Sequence, residues 1–358
     1  MSAQAIATAG LRDGYRRGAL RRTAALAAAL AGLALLLLLD LATGPSGMTL
    51  AETWSALRQG PSGEDRMAAT ILWHLRMPQS LMGLLVGAAL GLAGLQMQTI
   101  LDNPLASPFT LGFSASAGFG AALAIMFGAA LPLARFVPEF VIVPAAAFAM
   151  TLLATAIVYG VARLRGATPE ILVLSGIAVL FFFQSLQSLL QFLASPEVLQ
   201  QIVFWLFGSL LKATWTSIAV VGVILAACLP FLVRDVWKLT ALRLGEGNAA
   251  SLGLAVDSLR RRSFLIVALL TAGAVSFVGT IGFIGLVAPH VARAAVGEDH
   301  RFALPLSACA GAVILIGASV FGKLISPGAV IPVGIITAVA GIPMLFAVIA
   351  RRGGGRRR

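Results

Sequence analysis

The sequence is poor in charge. Asp, Glu, Lys and Arg supply 11% of its 358 residues, where a soluble globular domain carries about 25%. An ordinary water-soluble globule is excluded. Short catalytic signatures are missing too. No GxxxxGK[ST] loop, HExxH helix, GxSxG elbow or acidic metal cluster occurs, so nothing marks a nucleotide, zinc or hydrolase site in this chain. The two cysteines, Cys228 and Cys309, lie in apolar runs with no metal or disulfide spacing. There are only three histidines, His74, His290 and His300. His290 has no second ligand beside it at metal spacing and reads as a structural hydrogen-bonder. Ionisable groups within the apolar runs are nearly absent, Asp40 excepted. Proton- or sodium-coupled carriers usually need such groups near mid-membrane.

What is abundant is apolar length. The chain is 59% hydrophobic, with a mean hydropathy of +0.95. A spanning helix needs about 20 mostly apolar residues, and a β-barrel would show short alternating segments instead. The pattern predicts an all-α membrane protein with ten spans, near 23–43, 79–101, 107–129, 141–163, 171–194, 214–233, 263–279, 281–296, 303–322 and 332–350. A basic tail (1–22) and a second one (351–358) flank the 23–350 membrane domain. With these limits twenty basic residues fall on the side of both termini and six on the other, which places the termini in the cytosol. The net charge of +12 therefore writes topology, and nucleic acid is not an expected partner.

Polar features within this frame carry the functional reading. The loop 234–262 is the longest strongly polar interruption in the second half, and Ala241–Leu254 reads as a short helix broken by Gly245, Gly247 and Gly253. A chain without an energy source needs a cytosolic handle for one, and this loop is the candidate. Its basic ends (Arg234, Lys238, Arg260, Arg261, Arg262) read as topology anchors. Gly83, Gly87 and Gly91, followed by Gly94, form a ladder that lets helix backbones approach closely. Asp102 before Asn103-Pro104 reads as a helix-end residue. Gln184, Gln187, Ser188 and Gln191 share one face of the 171–194 span. Such a stripe faces protein, through interhelical hydrogen bonds, or a water-filled path. Leu50–Gln59 and the mixed segment 195–212 read as surface or interfacial helices on the outer side.

Four blocks, in order, resemble the FecCD-type (vitamin B12-permease-like) membrane subunits of type II ABC importers. They are LVGAALGLAGLQMQTILDNPLASPFTLGFSASAG (Leu85–Gly118), LTALRLGEGNAASLGLAV (Leu239–Val256), GTIGFIGLVAPHVARAAVGEDHRFALPLSA (Gly279–Ala308) and IPVGIITAVAGIPMLF (Ile331–Phe346). The resemblance implies a homodimer of ten-helix subunits in lipid, in the bacterial inner membrane. Two ATPase subunits carrying ATP and Mg bind below, a periplasmic substrate-binding protein binds above, and this chain itself binds no cofactor. It maps ATPase coupling to Leu242, Leu244, Gly245, Ala249, Leu252, Gly253 and Leu254. It maps binding-protein docking to Arg76 and Lys323, the path to the amide stripe, and a cytosolic gate to Thr168 and Pro169. Gln79, Asp102 and Val330 depart from the family pattern, which carries arginine at the first two positions and glutamate at the third. Losing charge at Gln79 and Val330 shifts outer docking toward residues such as Arg58 or Arg66. The function expected is import of a large iron-containing chelate, with haem favoured by the apolar path near Phe181, Phe182 and Phe183, and siderophore or cobalamin as alternatives. A self-contained secondary carrier or channel is the rival class. An intramembrane enzyme lacks paired catalytic residues.

Overall fold

The computed structural model describes residues 3–128, 138–326 and 330–354. Ala129 of the third expected span, the outer Arg135, residues 327–329 of the last outer loop and Arg356–Arg358 of the C-terminal tail lie outside the described residues. Among the described residues every regular element is a helix. In chain order these are α1 (Ala3–Ala42), α2 (Leu50–Gln59) and α3 (Arg66–Thr70), which runs through a π-helical turn (Ile71–Arg76) into α4 (Met77–Ile100). Then come α5 (Phe113–Phe127), α6 (Glu139–Arg163), α7 (Pro169–Leu193), α8 (Pro196–Leu206), α9 (Trp215–Arg234), α10 (Val236–Leu242) and α11 (Glu246–Ser251). The chain ends with α12 (Val256–Val278), α13 (Ile284–Val296), α14 (His300–Ile325) and α15 (Val333–Gly354).

Each expected span is occupied by an apolar helix. Seven are long and apolar enough to cross a membrane, and three are shorter: Phe113–Phe127, Ile284–Val296 and Val333–Phe346. The first two of these are short because their neighbouring chain is not helical. Pro104 and Pro108 interrupt the backbone before α5, and Gly279 (φ 79°) and Phe283 (φ 66°) turn it before α13. Non-helical backbone in a membrane protein survives where protein covers it, and Leu101, Ala106, Leu111 and Ile281 are all buried. The basic segment 3–22 is helical and continuous with the first span in α1. It has no proline and is rich in alanine, leucine and arginine, all good helix formers.

Local signals set the outer elements. The Thr49–Glu52 pair forms a capping box at the head of α2, with Thr49 N–H donating to Glu52 at 2.8 Å and Glu52 N–H to Thr49 Oγ1 at 3.2 Å. Asp65 caps α3 and Ser195 caps α8, each accepting from a backbone N–H of the first turn.

The centre of the bundle is α4, α12 and α14, and the glycine ladder explains why. A β-carbon on Gly87 or Gly91 would strike the α14 backbone at Gly311 and Ser307, and one on Gly94 would land on the Gly285 carbonyl. Ser307 uses the approach, donating to the Gly91 carbonyl at 2.8 Å. Van der Waals packing is the main gain from such contact, since lipid is as apolar as the protein core. The difference between centre and rim is large: 78% of the most apolar stretch of the α3–α4 helix is buried, against 22% for α7 and for α9.

Candidate functional site

Three stations hold the polar residues: the outer end of α1, α4 and α14, the exposed face of α7, and the cytosolic module α10–α11.

At the outer end, Asp40 is fully buried and receives Lys323 Nζ at 2.8 Å, with a second bond from Nζ to its own carbonyl at 3.1 Å. Ser80 Oγ donates to the other carboxylate oxygen. Arg76 lies beside them, its guanidinium donating to the Leu41 and Ala42 carbonyls at 2.7 and 3.1 Å and to Ser46 Oγ. Arg76 is 4% and Lys323 8% exposed. The family resemblance assigns both to binding-protein docking; in this structure both are buried in contacts that join helix ends. Asp40, alone in an apolar span, draws in Lys323, and the carbonyls freed where α1 ends draw in Arg76. Among the described residues the exposed outer cations are Arg58, Arg66 and Lys212. Arg58 stacks on exposed Trp54 at 4.8 Å, and Arg66 borders a small polar pocket with Pro61, Ser62, Gly63 and Thr70.

On α7, Gln184 and Ser188 are exposed and Gln187 and Gln191 half-buried. Gln187 packs against the Cα of Gly118 on α5. Phe181, Phe182 and Phe192 share the open surface. A mainly apolar cavity of 640 Å³ lies between α8 and α15, lined by Phe207, Thr280, Phe283, Leu286, Gly334 and Val339 among others.

At the cytosolic end the helix expected over Ala241–Leu254 is broken at Gly245 and ends at Gly253 as read from the sequence, while Gly247 lies within α11 and α10 begins earlier, at Val236. Gly245 (φ 102°) separates α10 from α11, and Gly253 (φ 79°) ends the segment. The seven coupling residues divide by burial. Leu242 (6%) and Ala249 (0%) are buried and Leu254 is half-buried, so they fasten the module. Leu244 (65%), Leu252 (67%), Gly245 and Gly253 are exposed and free to be gripped. Thr168 is exposed at the N-cap position of α7, and Pro169 is half-buried as its first residue.

Of the five cations read as topology anchors, Arg260, Arg262 and Lys238 also hold specific partners. Arg260, 3% exposed, reaches Glu246, the Ile100 carbonyl at 3.2 Å and the Ala167 carbonyl at 3.4 Å. Arg262 donates to buried Asp235 at 2.6 Å, and Lys238 pairs with the same carboxylate at 3.2 Å. Arg243 joins Asp102 at 2.6 Å to Glu298 at 3.1 Å. That pairing accounts for Asp102, which closes α4 at φ 44°. Sequence reasoning missed three further members. Gln98 donates to the Leu286 carbonyl at 3.2 Å and accepts from Arg293. Thr99 and His300 pair at 2.9 Å, and His300 N–H donates to Thr240 at 3.1 Å. A polar residue in the last turn of an apolar helix is the signal that could have found them. His290 Nδ1 sits 2.8 Å from the Leu286 carbonyl, in keeping with a structural role. Asp299 caps α14, and the Arg301 side chain, followed by its backbone N–H, holds its carboxyl below the usual range.

A multi-pass helical bundle with a fastened cytosolic module and no nucleotide loop defines a transport permease subunit. The FecCD transport family model matches residues 32–351, and the chain belongs to that family. It is 37% identical over 325 residues to the ferric enterobactin transport permease FepD of Escherichia coli, covering 89% of this chain and 94% of FepD. It is 34% identical over 293 residues to the cobalamin import permease BtuC of Halobacterium salinarum, covering 81% and 76%. Among solved structures, a putative metal-chelate type ABC transporter in an inward-facing conformation matches at a TM-score of 0.79 and 28% identity, covering 91% of this chain and 98% of that one. The protein is thus an ABC transporter permease subunit of the type II importer class.

Proposed function

We propose that the chain forms the membrane path of an ATP-driven importer for a large metal chelate, ferric siderophore or cobalamin in class, with haem one member of it. The relatives that support this class are named for ferric enterobactin, ferric citrate, hydroxamate and cobalamin. A preference for haem rests on the apolar character of the path alone; none of these four relatives is named for haem. The observation that carries the mechanism is the pair of exposed leucines, Leu244 and Leu252, on a cytosolic module of a chain with no nucleotide loop. Exposed leucines on a fastened surface segment suit the grip of a separate ATPase subunit.

Two copies would pair across the open α7 and α15 faces. Exposed Gln184 and Ser188 are costly against lipid, and a second copy would enclose them around a central path. The gate turn at Thr168 and Pro169 would close that path on the cytosolic side. Capture of the periplasmic binding protein would fall to Arg58 and Arg66, and the setting would be the inner membrane. The test is reconstitution with and without the ATPase subunits. Chelate uptake only with the ATPase and ATP is expected; uptake driven by an ion gradient alone would establish a secondary carrier instead. Spectra of the cognate binding protein identify the cargo: a Soret band marks haem, and fluorescence quenching by a ferric siderophore marks that class.

A further inference from the structure

We propose that Arg260 is the positioning residue that carries movement of the ATPase-facing segment to the cytosolic gate. This deepens the reading of α11 as the ATPase dock and rests on it. Arg260 lies on α12 with its side chain 3% exposed, yet it serves three other elements at once. One terminal nitrogen pairs with Glu246, the first residue of α11. The other donates to the carbonyl of Ala167, in the turn between α6 and α7, at 3.4 Å. Its Nε donates to the carbonyl of Ile100, the last residue of α4, at 3.2 Å. A guanidinium holds such directions in one rigid plane, which an ammonium cannot.

Both ends of this connection are built to move as units. The segment around α11 lies between Gly245 and Gly253, each at positive φ, so it can pivot about two permissive joints. Ala167 holds φ 51°, a conformation uncommon for a side-chain-bearing residue, and the next residues, Thr168 and Pro169, open α7. Displacing α11 pulls Glu246, which turns the guanidinium, which shifts the Ala167 carbonyl and with it the head of the amide-bearing helix. Asp257, 3.6 Å away on the same helix, gives Arg260 a second carboxylate that does not depend on α11.

The test uses the full complex with its ATPase subunits in nanodiscs, labelled through Leu164→Cys in the gate turn. Leu164 is 84% exposed, and Cys228 and Cys309 are buried, so the label goes to the new thiol. The readout is the change in label mobility on adding ATP, per ATP hydrolysed. Glu246→Gln and Arg260→Lys each cut that response about fivefold or more, and the double variant is no worse than either single change. A full response in both singles, or additive losses, overturns the proposal. Glu246 is 53% exposed, Gln keeps an acceptor oxygen there and Asp257 still faces buried Arg260, so this substitution decides the matter even if Arg260→Lys fails to assemble. Leu252→Glu separates the two readings. If it releases the ATPase while Glu246→Gln responds in full, only the Arg260 role falls. If the ATPase stays bound and the gate still responds, the dock and the Arg260 role fall together.

Discussion

At its outer end the protein keeps one ion pair, Asp40–Lys323, entirely out of water; at its cytosolic end it keeps a chain of pairs half in water. The outer pair joins α1 to α14 with both side chains almost inaccessible, 0% and 3% exposed. At the cytosolic end one partner of each pair is wetter than the other: Arg260 meets Glu246 at 4% and 53%, Arg243 meets Asp102 at 20% and 82%, and Lys238 meets buried Asp235 at 41% and 2%. Burial decides what each pair does. Two buried charges have no alternative partner and lock helices together. A half-wet pair costs little to open and reform, which suits elements that must shift with each cycle.

The strongest way to break the contrast is to remove one outer partner. Lys323→Met leaves buried Asp40 without its cation and should cost about 3–5 kcal/mol, read as lost thermal stability in detergent. The double change Asp40→Leu with Lys323→Met should recover most of it; a double variant as unstable as the single would reject the pairing. On the cytosolic side, Leu252→Glu should leave stability near wild type and weaken ATPase binding by about 2 kcal/mol or more, the scale of an interface hot spot; binding titration with purified ATPase checks it. Arg243→Ala, which opens two half-exposed pairs, should cost about 1 kcal/mol or less per pair. Salt sharpens the same difference. Raising ionic strength should erase the Arg243 effect and leave the Lys323 effect intact.

The smallest effect belongs to Asp299, the cap of α14. Asp299→Asn keeps a capping oxygen but loses the charge pairing to Arg301 and Arg22, and should cost about 0.5–1 kcal/mol, visible as a small drop in melting temperature. Its carboxyl is held below the ordinary range by Arg301. A depressed folded-state pKa means its contribution is present above the unfolded pKa and fades as pH falls through the folded one. The wild-type advantage over Asp299→Asn should therefore shrink in acid and hold at neutral pH.

Much of the architecture is legible in the sequence, for identifiable reasons. The apolar spans, the α2 helix and the position of the coupling segment follow from length, a Thr-x-x-Glu cap and a break in hydropathy, all local signals. Within this segment, the division between buried residues (Leu242, Ala249) and exposed ones (Leu244, Leu252) is not legible, because all four are apolar and only the packing of α10 and α11 on the bundle decides which are covered. The outer arginine and lysine read as surface residues for a similar reason. Nothing near Arg76 in sequence shows that the end of α1 needs its donors.

The sequence by itself determined the class and the run of membrane helices and marked 234–262 as the polar break among them, since a bilayer demands long apolar runs and translates basic loops into orientation. Only the tertiary structure decided which charges are hidden and which are offered. Asp40 and Lys323 lie 283 residues apart, and Arg260 meets Ile100 across 160. No spacing rule spans such distances: the close approach of the helices brings these groups together, and low-dielectric surroundings make the pairing obligatory.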